Sequence, residues 1–267
     1  MSLRGEVCDD EAIPPLLFTG LPRFAAQGGL LAMTKNMEER QQKLLKIIVK
    51  EYIKTAEPIS SGLLVQKFRL PYSPATVRAE LVKLEEEGYI HQPHTSAGRV
   101  PTEKAYQFYV ENFLSAKRPS FVKTSTGKPA MQIESRKNNE EFLKQTAKTL
   151  AAKSGLAVFW AVGQHNLYYT GIANLLSQPE FLESQQILNI SRIIDDIEDI
   201  VVDMYSNLTN QPQIFIGQKN PFGAICGSVV VKYEKNGERG MFGIVGPMRM
   251  DYEQCLGLVE YIKNNLK

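Results

Sequence analysis

Cysteine is scarce: Cys8, Cys226 and Cys255 are the only three in 267 residues. No C-x-x-C pair occurs and no histidine stands near them at metal-ligand spacing, which argues against a zinc module or a disulfide scaffold. The odd count fits a reducing compartment, with a single Cys226–Cys255 bridge left open, so the cytoplasm is the expected location. Long apolar runs are missing as well. The longest, around 155–162 and 224–231, fall short of the roughly 18 residues of a membrane span, and no membrane association is expected. Nor does one sign of charge dominate, because 31 basic residues against 29 acidic ones leave +2.

What is present fits a globular chain. Hydrophobic residues make up 43%, charged residues 22% and aromatics 9%, and a length past the roughly 250 residues at which single cores stop growing favours two domains. The charge is unevenly distributed. Residues 1–33 carry 2 basic against 4 acidic groups, residues 34–118 carry 14 against 10, and residues 119–267 carry 15 against 15. The first segment has an acidic start (Glu6, Asp9, Asp10, Glu11) and a short apolar patch, unlike a secretory signal. It reads as a poorly ordered extension ahead of a natural start at Met33 or Met37. In 115–139, Lys117, Arg118, Lys123, Lys128, Arg136 and Lys137 face only Glu134 among Ser, Thr, Gly and Pro, the composition of a basic linker.

Between these segments, residues 34–114 carry helical patterns. Leu45, Val49, Tyr52 and Ala56, flanked by Leu44 and Ile48, predict an amphipathic helix ended by Pro58. A short helix follows at 60–68, then a turn at Leu70-Pro71-Tyr72. Ser73-Pro74 opens a third helix as N-cap and first-turn proline, with Val77, Leu81 and Leu84 inward and Gly88 closing it. Tyr89-Ile90 reads as a strand, 91–102 as a loop rich in hydrogen-bond donors, and 103–114 as a further helix. Three helices, a tight turn before the third, then strand, loop and strand predict a winged helix-turn-helix.

Past the linker, residues 140–267 read as an α+β domain. Helices are expected at 140–153, 195–205 and from Asp251 onward, with strands at 156–162, 167–170, 213–216, 224–233 and 240–246. The last two are joined by Lys235-Asn236-Gly237-Glu238, a hairpin signal. Gly240, Gly243 and Gly246 fall within a strand, so they are hairpin and bulge glycines, not a phosphate loop. Asp195, Asp196, Glu198 and Asp199 read as a solvated helix face, and His165 has no partner for acid–base work. No nucleophile–base pair or metal set occurs, so no enzyme activity and no cofactor are expected.

The candidate functional residues lie on the third helix and the loop after it. With Val77, Leu81 and Leu84 inward, Ala75, Thr76, Ala79, Glu80 and Lys83 face outward and Arg78 borders them. The Arg78 fork suits guanine O6 and N7 or a phosphate. Thr76 suits a thymine methyl or a phosphate oxygen, Ala75 a thymine methyl, and the Ser73 hydroxyl with the helix N-terminal amides a phosphate. His94, Thr95 and Ser96 supply loop donors, and Arg99 is placed to enter a narrow minor groove. The partner these residues select is double-stranded DNA. A rival reading has a metabolite lodged near Phe159, Trp160, Tyr168 and Tyr169 controlling a winged-helix repressor.

Glu57-Pro58-Ile59-Ser60-Ser61, Ser73-Pro74-Ala75-Thr76-Val77-Arg78 and Gln92-Pro93-His94-Thr95-Ser96-Ala97-Gly98-Arg99-Val100-Pro101-Thr102 closely resemble the HrcA family of bacterial heat-inducible transcription repressors. In the second half, Gly171-Ile172-Ala173-Asn174-Leu175-Leu176-Ser177-Gln178-Pro179-Glu180-Phe181 and Gly243-Ile244-Val245-Gly246-Pro247-Met248-Arg249-Met250-Asp251-Tyr252 resemble it too. The resemblance runs from about residue 37 to the C-terminus. It implies a homodimeric repressor of chaperone operons that binds an inverted-repeat operator, is released on heat stress and has a GroEL-type chaperonin as partner. It also implies a winged helix followed by a GAF-like domain with an inserted dimerisation segment. Between the linker and Gln213 this chain is shorter than that pattern, so the insert is expected to be reduced or missing.

Overall fold

In a computed structural model, which describes residues 37–114, 139–163, 166–235 and 237–266, Leu44, Leu45, Ile48 and Val49 form one buried stripe along the first helix, α1 (Glu39–Thr55). The expected extension at 1–33, nearly all of the expected linker at 115–139, and His165 lie outside the described residues. Pro58 follows the helix as its sequence suggests, and Ser60 caps α2 (Ser61–Phe68) by accepting a hydrogen bond from the Leu63 amide. Glu51 of α1, 4% exposed, is held by Lys67 of α2.

Ser73 caps α3 (Pro74–Glu86), whose buried side carries Val77, Leu81 and Leu84. Gly88 ends this segment at φ +74°, a left-handed conformation that a side chain would disfavour. There the Tyr89 amide returns to the Leu84 carbonyl. Two short antiparallel strands follow, β1 (Ile90–His91) and β2 (Val100–Pro101), and Ile59 adds a bridge to Arg99 at their edge. The helix α4 (Glu103–Tyr109) then passes into a π-helical turn at Val110–Leu114. Thr102 anchors its start by donating to the Gly88 and Tyr89 carbonyls at 2.7 and 3.0 Å.

The second half is built on a five-stranded antiparallel sheet of order β4-β3-β7-β6-β5. Its strands are β3 (Ala157–Val162), β4 (Asn166–Thr170), β5 (Gln213–Ile216), β6 (Cys226–Lys235) and β7 (Glu238–Pro247). The expected β6–β7 hairpin forms, with Lys235 opposite Glu238. Gly240, Gly243 and Gly246 lie inside β7, as expected of strand glycines.

Alternation along the strands separates two apolar faces. Phe159, Val230 and Met241 face a core completed by α6 (Ile172–Leu176), α7 (Ser184–Asp195) and α8 (Ile197–Asn207). On the other face Trp160 stacks on Phe242 at 4.3 Å and donates its indole N–H to Tyr233. That face is covered by α5 (Asn139–Ser154) and α9 (Tyr252–Asn265). Cys226 and Cys255 are buried and unbridged, which closes the open question of a bond between them.

The chain is therefore α+β, and residues Glu39–Lys267 form a single compact unit. Within it Arg249, after β7, donates to the Ile53 carbonyl in the last turn of α1 at 3.2 Å. Lys50 of α1 meets Glu253 of α9 at 3.1 Å, and the Tyr106 ring of α4 lies 6.5 Å from that of Tyr252. Among the described residues, no helix is long and apolar enough to cross a membrane.

Candidate nucleic-acid interface

The N-terminal turn of α3 is held rigidly and left open to solvent. The Ser73 hydroxyl accepts from the Thr76 amide at 3.1 Å and lies 2.9 Å from the Thr76 hydroxyl. Both hydroxyls therefore already share one cap, with Pro74 setting the first-turn backbone. Ser73, Ala75 and Arg78 are exposed and Thr76 is half-buried. The Arg78 side chain has no hydrogen bond or ion pair to any described residue. A fixed helix start, an unengaged guanidinium and the positive end of the helix dipole together make an anion-facing surface. The opposite end is acidic, through Glu85, Glu86 and Glu87, so the field along α3 favours approach of phosphates at its start.

Glu80 departs from expectation. Helical spacing puts it on the outer face of α3, yet it is 5% exposed and lies between Arg40 at 3.4 Å and Lys83 at 3.5 Å. Its second carboxylate oxygen has no partner among the described residues. Arg40 in turn lies over the Tyr72 ring at 5.1 Å. Lys83 is thus tied in part to Glu80, although its side chain stays half-exposed.

Arg99 also sits differently from a free groove-reading arginine. Its side chain is 15% exposed and bonds Glu85 of α3 at 2.9 Å. Its backbone exchanges two hydrogen bonds with Ile59, at 2.8 and 2.9 Å. Arg99 fastens the loop base to α3, while His94, Thr95 and Ser96 are exposed at the loop tip. The tip is shaped by Gln92, whose side-chain amide donates to the Thr95 and Ala97 carbonyls at 2.9 and 2.8 Å. Gly98 is required beside it, because a Cβ there would lie 2.6 Å from the Ile59 nitrogen and oxygen.

The sequence reading overlooked Arg69. It occupies the turn between α2 and α3 at φ +48°, where its backbone N–H donates to the Val65 carbonyl, and its exposed side chain has no partner among the described residues. Its signal was a basic residue directly before Leu70-Pro71-Tyr72, in the segment that brings α3 to its surface. Of the aromatics considered for a metabolite, Phe159 and Trp160 are each 1% exposed and belong to the core, whereas Tyr168 is half-buried and Tyr169 is 44% exposed, so the four do not line one pocket. The apolar cavity beside Phe159, bounded also by Ile190, Ile194 and Phe222, measures about 30 Å³, room for about a single water molecule.

Comparison with known proteins supplies the family. The model of the HrcA protein C-terminal domain matches residues 78–256, about two thirds of the chain. The heat-inducible transcription repressor HrcA of Desulforudis audaxviator is 25% identical over 334 aligned positions, covering 86% of this chain and 97% of its own. The corresponding repressor of Natranaerobius thermophilus is 24% identical, covering 85% and 95%. That of Roseiflexus castenholzii is 51% identical over 82 positions, or 31% of this chain and 23% of its own. A solved structure described as a hypothetical protein shares the fold at a TM-score of 0.69 and 20% identity, over 86% of this chain and 97% of its own. Because 86% of 267 residues is about 230, some 100 of the 334 positions aligned with the Desulforudis protein hold no residue of this chain. By the family model that spans the greater part of it, the chain belongs to the HrcA family.

Proposed function

We propose that this chain is a dimeric, sequence-specific repressor of heat-shock genes, with no catalytic activity. Residues 34–114 are its winged helix-turn-helix, α3 is the recognition helix and the β1–β2 loop is the wing. Residues 140–267 are a GAF-like regulatory and dimerisation domain in which the family's dimerisation insert is reduced, and residues 115–139 are a basic tether between the two. The observation that carries this reading is the exposed start of α3. Arg78 stands unengaged there, while Val77, Leu81 and Leu84 anchor the opposite side.

In this reading Arg78 reads a base edge, and Ser73, Ala75 and Thr76 contact the neighbouring phosphate or thymine methyls. Arg69 joins them from the turn. His94, Thr95 and Ser96 touch the backbone or minor groove from the wing, with Arg99 holding the wing in place and Lys83 lying at the border of the footprint. Two such helices related by a two-fold axis match an inverted repeat. Release on heating, and dependence on a GroEL-type chaperonin, follow from the family resemblance.

Selection of bound duplexes from a random pool tests the reading. The expected product is an inverted repeat with half-sites separated by about one helical turn or a multiple of it. A pool that shows no enrichment after repeated rounds contradicts it.

A further inference from the structure

Three of the six large hydrophobic side chains exposed among the described residues cluster at one place: Leu182 is 64% exposed, Ile187 40% and Leu188 54%. Leu182 and Ile187 occupy the positions flanking the start of α7 where a hydrophobic staple forms. A staple accounts for their adjacency, but it leaves both in solvent and does not involve Leu188. On the helix they belong to two adjacent rows of i, i+4 spacing, Glu183-Ile187-Ser191 and Ser184-Leu188-Arg192, all of them exposed. The opposite side of α7 is turned into the core through Ile190, with Ile193 and Ile194 packed beside it.

We infer that this face of α7 is the seat of a second copy of the chain. The inference rests on the dimeric reading above and gives that dimer a location. Rows of i±4 spacing interdigitate at about −50° when two helices cross. A two-fold axis passing between Ile187 and Leu188 then sets residue 192 of one copy against residue 183 of the other. Those positions are Arg192 and Glu183, so the arrangement forms two ion pairs, one at each end of an apolar centre. Neither side chain bonds another described residue within its own chain, and between them α7 carries no charge. This charge pattern is self-complementary only in the antiparallel, two-fold arrangement, as an isologous contact requires.

Charge reversal in the full chain tests the pairing through sedimentation equilibrium, with far-UV circular dichroism as the check on folding. Wild type is expected to dimerise. Glu183→Arg alone and Arg192→Glu alone place like charges opposite each other and should each weaken dimerisation at least about tenfold. The double reversal restores both pairs and should return the dissociation constant to within about threefold of wild type. Leu188→Asp should give monomers of native helix content. A wild-type monomer at about 100 μM, a dimer indifferent to these changes, or a double variant no better than the singles overturns the proposal. Binding of an inverted repeat by a dimer formed elsewhere would leave the repressor reading standing. A charge-reversible dimer without DNA preference would contradict the repressor reading alone.

Discussion

Arg78 is the residue on which recognition is expected to turn. Truncating it to Ala should weaken binding to the selected operator by about 1–3 kcal/mol, roughly five- to 150-fold, and relax preference at the base pair it reads. Fluorescence anisotropy on operator variants checks both effects, and equal loss on every sequence would reassign Arg78 to a phosphate. Gly98 makes a contrasting demand, set by space. Its Cβ-less approach to the Ile59 backbone, 2.6 Å for a hypothetical methyl, predicts that Gly98→Ala displaces the loop base. A reduced melting temperature is expected, with weakened operator binding even though no DNA-facing group has changed. Some residue roles were legible in sequence and some were not. The inner stripe Val77, Leu81 and Leu84 followed from spacing alone. Glu80 did not, because its burial depends on Arg40, forty positions earlier, and on a neutralisation that periodicity cannot express. Arg99 was misplaced for a similar reason, its partner Glu85 lying on another element.

Elements were most readable where their signals were local. Ser73-Pro74, Gly88 and the Asn-Gly sequence after Lys235 each signal a boundary through cap or turn chemistry; in the structure α3 begins at Pro74, Gly88 takes φ +74° and Lys235 pairs with Glu238. Helix α7 was passed over because Ile187 and Leu188 lie on its outer face and Ile190, Ile193 and Ile194 on or beside its inner one, so apolar residues surround the helix and blur the stripe. The junction between α1 and β7 was equally hidden. Arg249 donates to the Ile53 carbonyl, bonds the Gln178 side chain at 2.9 Å and pairs with Glu180, yet the two elements are separated by most of the chain. Its guanidinium satisfies a carbonyl in the last turn of α1, where intrahelical donors run out. Arg249→Ala should therefore lower stability by about 1–3 kcal/mol through the loss of charge-assisted hydrogen bonds. Calorimetry should also show the two halves unfolding less cooperatively. An unchanged single transition at the wild-type temperature would mean that this junction contributes nothing.

At the scale of the whole molecule, buried ionisable groups predict how stability depends on pH. Burial pushes the Cys226 thiol from its ordinary 9.0 up to about 12, and raises the Tyr233 hydroxyl from 10.0 to about 12. Because the folded state holds these protons more tightly than the unfolded chain, stability is fully present below about pH 9 and falls as pH rises towards 12. Denaturation midpoints measured across that range should decline, and a flat profile would contradict the burial of both groups. The α+β class was visible in composition and periodicity, whereas the packing of residues Glu39–Lys267 into one unit depends on contacts such as Tyr106 with Tyr252 that leave no periodic trace. The repressor function stands on sequence-specific DNA contact by the α3 surface. Anisotropy titration of the full chain against its selected inverted repeat and against a scrambled duplex, at physiological salt, measures that specificity. At least about a thousandfold preference for the repeat is expected; equal affinity for the two duplexes would overturn it.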